Sequence, residues 1–154
     1  MTISEKQFKE HYLVGFCGYS NEGAINKGTH ELVAEILTTL AMECDVAGYR
    51  IMAVGGYTNS GINRILRQVC TDLNIPLAGI TSGKCYDYPC WDSVDYLKVV
   101  GDNWGDESAN FVDALDILVR IDGGKQSYAE CDLAVANDKI TLQYDYIDGA
   151  FVAS

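Results

Sequence analysis

The chain has 154 residues, 22 acidic and 11 basic, giving a net charge of −11 at pH 7. That balance excludes a general nucleic-acid binder, whose surface must carry cations for the phosphates. Hydrophobic residues make up 48% of the chain, enough for one sizeable core, yet no run approaches the roughly 18 apolar residues that span a membrane. The opening Met1-Thr2-Ile3-Ser4-Glu5-Lys6 lacks a signal-peptide pattern, so a single cytoplasmic domain over 1–154 is expected.

Residues 1–11 read as a charged leader segment with a helical turn. Tyr12 to Cys17 is a first strand, running into Gly18-Tyr19-Ser20-Asn21-Glu22-Gly23. A long helix is predicted from there to about Cys44, because Leu32, Val33, Ile36, Leu37, Leu40 and Ala41 recur at helical spacing. His30, in its early turns, reads as a surface histidine. Arg50 to Val54 is a second strand, followed by the polar turn Gly55-Gly56-Tyr57-Thr58-Asn59-Ser60-Gly61. The next helix spans Gly61 to Leu73, with Ile62, Ile65, Leu66, Val69 and Leu73 as its apolar face. Asn74-Ile75-Pro76 stops it, and Leu77 to Thr81 is a third strand.

Residues 82–95 carry Tyr86, Tyr88 and Trp91 around one proline. Such a loop lies over a pocket mouth, where aromatic rings stack a base, or serves packing or a dimer contact. Tyr96 to Val100 is a fourth strand, Gly101 to Glu107 an acidic turn, and Ser108 to Leu115 a helix. Ile117 to Ile121 is apolar and β-branched, as a buried parallel strand requires. Gly123 and Gly124 then turn the chain. Ser127 reads as a helix N-cap, with Glu130 three residues on completing a capping box. Ile140 to Tyr144 alternates apolar and polar, suiting an edge strand, and 147–154 reads as a tail.

Strands alternating with helices predict an α/β, three-layer, doubly wound fold with a mainly parallel sheet. Three strands end in glycine-rich loops that feed helices. In such a sheet these loops gather at the carboxyl edge, where ligands bind, and the N–H groups of a helix start suit a phosphate. None is a Walker A loop or a G-x-G-x-x-G fingerprint. The six cysteines include no C-x-x-C pair, and Cys85 and Cys90 have no histidine nearby for zinc. Neither a metal nor another cofactor is expected.

Phe16-Cys17-Gly18-Tyr19-Ser20 resembles the F-C-G-S-S signature of the LOG-like (lysine-decarboxylase-like) proteins. Val54-Gly55-Gly56 with Gly61 is similar to their G-G-G-x-x-G-L-M motif. Asp122-Gly123-Gly124-Lys125-Gln126-Ser127-Tyr128-Ala129-Glu130 is similar to P-G-G-x-G-T-x-x-E. The resemblance covers residues 12 to 136 and extends to the wider SLOG superfamily of Rossmann-like domains. That superfamily includes nucleotide phosphoribohydrolases, molybdenum-cofactor carriers and nucleotide-signal sensors.

The resemblance implies a nucleoside-phosphate pocket, in a protein that commonly forms dimers. Gly18, Tyr19 and Ser20 would lie on one side, and Gly55, Gly56, Tyr57 and Thr58 in the middle. Gly123, Gly124, Lys125, Gln126 and Ser127 would lie at the phosphate end, and Glu130 matches the glutamate that acts on the ribose in the hydrolases. The family's Arg-Lys pair falls near Glu107 and Ser108 here, Gln126 stands where the family has glycine, and Asp122 replaces the proline. No arginine lies between Arg67 and Arg120. Three readings follow. The first is a protein that binds an AMP- or ADP-ribose-like ligand without turnover. The second is an N-glycosidase using Glu130, with Glu107 or Asp122 as substitute acid. The third is an interaction protein without a working pocket.

Overall fold

A computed structural model describes residues 2–154. Seven strands form one sheet in the order β4-β3-β2-β1-β5-β6-β7. They are β1 (Tyr12–Gly18), β2 (Ile51–Gly55), β3 (Leu77–Thr81), β4 (Tyr96–Val99), β5 (Ile117–Ile121), β6 (Ile140–Ile147) and β7 (Ala150–Ala153). The first six are parallel and β7 runs antiparallel to β6. Five α-helices accompany them: α1 (Glu5–Lys9), α2 (Thr29–Ala47), α3 (Ile62–Leu73), α4 (Ser108–Ala114) and α5 (Lys125–Ala136). This is the expected three-layer α/β architecture. No helix among the described residues is long and apolar enough to cross a membrane.

The two sheet faces follow from strand alternation. Val14, Phe16, Ala53, Ile117, Val119 and Ile121 pack on one side against Val33, Ile36 and Leu37 of α2 and Leu66 and Val69 of α3. Leu13, Met52, Val54, Ala78 and Leu118 pack on the other against Phe111 and Val112 of α4, Cys131 and Ala134 of α5, and Phe8 of α1. Each such side chain contributes about 1.5–3 kcal/mol through removal from water. The chain winds outward from β1 to β4, then crosses back through α4 to place β5 beside β1. The loops leaving β1 and β5 therefore part at their carboxyl ends, and a crevice opens there.

Four segments differ from the sequence reading. The first long helix begins at Thr29 rather than near Ala24; residues 22–24 form a separate 3-10 turn, capped by the Asn21 side chain. Strand β6, expected at the sheet edge, lies between β5 and β7, and the helical turn foreseen in the leader is α1, whose Ser4 and Gln7 form a reciprocal cap. The expected tail is half of a hairpin. Asp148 and Gly149 take φ of 51° and 86° in a two-residue turn, and Ile147 pairs with Ala150. That is the Asp-Gly geometry that matches the twist of paired strands.

The fourth correction concerns α5. It starts at Lys125, so Ser127 sits in its first turn instead of capping it, and no side chain caps the helix at Gly124. Gly123 sets this register. Its φ is +116°, and a Cβ there would lie 2.7 Å from the Ser127 side chain and 3.2 Å from the Gly18 Cα. The proposed capping box is absent: Ser127 Oγ donates to the Gly18 carbonyl at 3.2 Å, and Glu130 is engaged elsewhere.

Candidate functional site

The crevice is a cavity of about 370 Å³ between the loops that follow β1, β2 and β5 and the start of α4. Gly18, Tyr19, Ser20, Gly56, Thr58, Gly124, Lys125, Gln126, Ser127 and Glu130 line it. Three other residues expected in the pocket do not. A Cβ at Gly55 would meet Leu66, Trp91 and Asn63, so this glycine makes room for packing. Tyr57 meets Trp91 edge-on, with ring centroids 5.9 Å apart. Gly123 is buried beneath the turn.

The first loop is tied down before any ligand arrives. Ile62 N–H donates to the Tyr19 carbonyl at 2.9 Å and Ser60 Oγ to the Ser20 carbonyl at 2.6 Å. Glu22 accepts from the Gly61 N–H at 2.8 Å and pairs with Arg64 at 3.2 Å. In the middle, Asn63 accepts from the Gly56 N–H at 3.0 Å and donates to Thr58 Oγ1 at 3.1 Å. At the β5 end, the uncapped first turn of α5 presents N–H groups that lack an intrahelical partner. Lys125 is the one lysine or arginine among the lining residues.

A buried ionic lattice behind the β5 loop holds it in place. Arg120 is 1% exposed. It forms a bidentate pair with Asp145 at 2.8 and 3.1 Å, and donates to the Asp122 carbonyl at 2.9 Å and Gln143 at 3.1 Å. Tyr128 covers its guanidinium at 4.2 Å and donates to Asp145 at 3.0 Å. The guanidinium holds the Asp145 carboxyl below the usual carboxylate range. Asp122 accepts from Asn26 Nδ2 at 2.8 Å and the Tyr146 N–H at 2.9 Å. Both Asp122 oxygens are thus committed to the scaffold, and Asp122 is outside the cavity lining. Its candidacy as a substitute acid finds no geometric support.

Glu130 and Glu107 face the same cavity and are both buried. Ser108 Oγ donates to Glu130 Oε2 at 2.9 Å, and Gln126 Nε2 reaches Ser108 Oγ at 3.4 Å. Burial pushes the Glu130 carboxyl up to about 7; Ser108 and Gln126 pull it back, and the neighbouring charge of Glu107 adds to the rise. Cys17 also lines the cavity, but a hydrogen bond with Cys131 and burial push its thiol well up, away from nucleophilic use.

The sequence reading did not place Asn21, Asn63, Trp104 or Phe111 in the site, although all line the cavity. Trp104 lay in a stretch that read only as an acidic turn. Of the aromatic loop, Trp91 is buried and donates its indole N–H to the Asn63 carbonyl at 3.1 Å, away from the mouth. Tyr88 is outside the cavity lining, its ring centroid 6.0 Å from that of Trp104.

No protein-family model matches the chain, and no curated protein sequence does. Solved structures do. The molybdenum cofactor binding protein from the phototrophic bacterium Rippkaea orientalis superposes with a TM-score of 0.71 at 18% identity, covering 88% of this chain and 77% of that one. The fold is similar to that of molybdenum-cofactor carriers. The carrier protein from Chlamydomonas reinhardtii gives a TM-score of 0.67 at 16% identity, with 86% and 76% covered. This carrier-like fold agrees with the LOG-like, Rossmann-type resemblance carried by the three glycine motifs.

Proposed function

We propose that the chain binds a small, phosphate-bearing ligand of nucleotide type at the carboxyl edge of its sheet and releases it unchanged. The observation that carries this reading is the uncapped start of α5, from Gly124 to Ser127, forming one wall of the cavity. Free N–H groups and the positive end of the helix dipole suit a phosphate, and Lys125 stands beside them. The cavity volume lies within the range of small-ligand pockets. Binding without turnover is supported by Glu107 and Ser108 standing where the resembled hydrolases carry an Arg-Lys pair. The carrier-like fold is in keeping with such a role.

A second reading, cleavage of an N-glycosidic bond, is favoured by one observation. Glu130, held near pKa 7, is poised to protonate a leaving base at neutral pH. One experiment separates the two. AMP, GMP and ADP-ribose are each incubated with the protein, passed through a size filter, and both fractions are chromatographed. Intact nucleotide retained with the protein is the expected result. Free base in the filtrate, lost in Glu130→Ala, establishes hydrolysis instead. Unchanged nucleotide passing freely overturns both readings.

A further inference from the structure

Glu107 is 5% exposed and lines the cavity. Its Oε1 accepts from the Gly105 N–H at 2.7 Å. Its Oε2 has no hydrogen-bond partner among the described residues, and it is not among the fully enclosed atoms that lack one. That oxygen is therefore accessible, in a residue that lines the cavity. A ligand N–H that reaches this oxygen forms a charge-assisted hydrogen bond, the stronger kind.

The surroundings of Glu107 narrow the donor's chemistry. Trp104, three residues before it, and Phe111, four after it, line the same cavity, as do Ile80 and Phe16. Trp104 is 43% exposed and leans on Tyr88, whereas Phe111 is buried. The turn carrying Trp104 and Glu107 is already ordered, because Asp106 Oδ2 accepts the N–H groups of both Asp102 and Asn103 at 3.0 Å. An apolar, aromatic slot with a carboxylate set in its wall suits a flat ring with N–H groups on one edge. The α5 start, with donors and a lysine, lines the same cavity, and its Gln126 reaches Ser108, the residue after Glu107, at 3.4 Å. The cavity thus offers donors at the α5 start and an acceptor at Glu107.

We infer that Glu107 reads a ring edge bearing an N–H beside an amino group, the 2-amino-4-oxopyrimidine edge shared by guanine and pterin. A carboxylate accepts from both donors at once, since each oxygen has two lone pairs and Oε1 spends only one on Gly105. Adenine presents a ring-nitrogen acceptor beside its amino group, which opposes a carboxylate lone pair. Hypoxanthine keeps the ring N–H but lacks the amino group. Glu107 is therefore a specificity-determining residue, and the inference rests on the phosphate end being held at α5.

The test is equilibrium binding of GMP, IMP, AMP, neopterin monophosphate and ribose 5-phosphate to the intact protein and to Glu107→Gln. The expected result is that GMP or neopterin monophosphate binds at least about tenfold tighter than AMP and IMP, the lower end of what a bidentate contact discriminates. Comparing GMP with neopterin monophosphate tells the two ring sources apart. In Glu107→Gln the preference collapses while ribose 5-phosphate binding holds, which separates lost recognition from lost folding. If AMP binds as tightly as GMP and the pterin, or the preference survives Glu107→Gln, the inference is wrong while the phosphate site stands. If no probe binds, ribose 5-phosphate included, the nucleotide reading falls and this inference with it.

Discussion

Glu130 has a raised pKa, so it weakens the fold wherever it is ionised. Its carboxyl titrates near 7 in the folded chain against an ordinary 4.5. Between those values the folded state holds a proton that the unfolded state has released, so stability falls as pH rises through this window. The full penalty, on the order of 3 kcal/mol, is present above pH 7 and absent below about 4.5. Glu130→Gln removes the charge and keeps an acceptor for Ser108. The variant is expected to melt near the parent's temperature at acid pH and clearly above it at pH 8. A melting difference that does not change with pH would show that Glu130 does not carry the strain. Of the two grounds on which the sequence singled out this residue, the motif match and the capping box, the second does not hold. The spacing from Ser127 to Glu130 imitates a capping box, but α5 begins three residues early and turns Glu130 toward Ser108.

At the scale of elements, β-strand and helix order was legible because each apolar face repeats at its own period over many residues. Turns were less so. The Asp148-Gly149 hairpin signal was present and passed over, because the strand after it is only four residues long. The paired glycines after β5 looked alike in sequence and differ in the fold. Gly123 needs φ of +116° with no room for a Cβ, whereas Gly124 has φ of −99°, and a Cβ there meets nothing within 4 Å. Gly123→Ala is expected to lower stability by about 1–3 kcal/mol. Gly124→Val is expected to fold within about 0.5 kcal/mol of the parent yet to lose GMP binding more than about tenfold, because the new side chain enters the space over the α5 N–H groups. Paired thermal melts and equilibrium dialysis check both. A Gly124→Val protein that binds normally would remove α5 from the site.

For the whole molecule, the net charge of −11 looks hostile to an anionic ligand, and the resemblance to nucleotide-binding proteins gave no account of it. The fold reconciles the two through distance. The α5 N–H groups act within a few ångströms, while the field of scattered carboxylates is felt only out to the Debye length. The site was legible in the sequence where it is built from backbone, as at Gly124. It was not legible where side chains from distant segments line one cavity, as Trp104, Phe111, Ile80 and Phe16 do. The charge argument has a kinetic consequence. At about 0.01 M salt the Debye length is about 30 Å and the whole acidic surface repels an approaching nucleotide; at about 0.15 M it is about 8 Å and only neighbours of the cavity count. The association rate constant of GMP, followed by stopped-flow quenching of the half-exposed Trp104, is therefore expected to rise about twofold or more over that range. Basic binding sites behave the other way, their on-rates falling as salt screens attraction. A falling rate here would mean that Lys125 and the helix end outweigh the rest of the surface at long range, and that capture, like binding, is governed by α5.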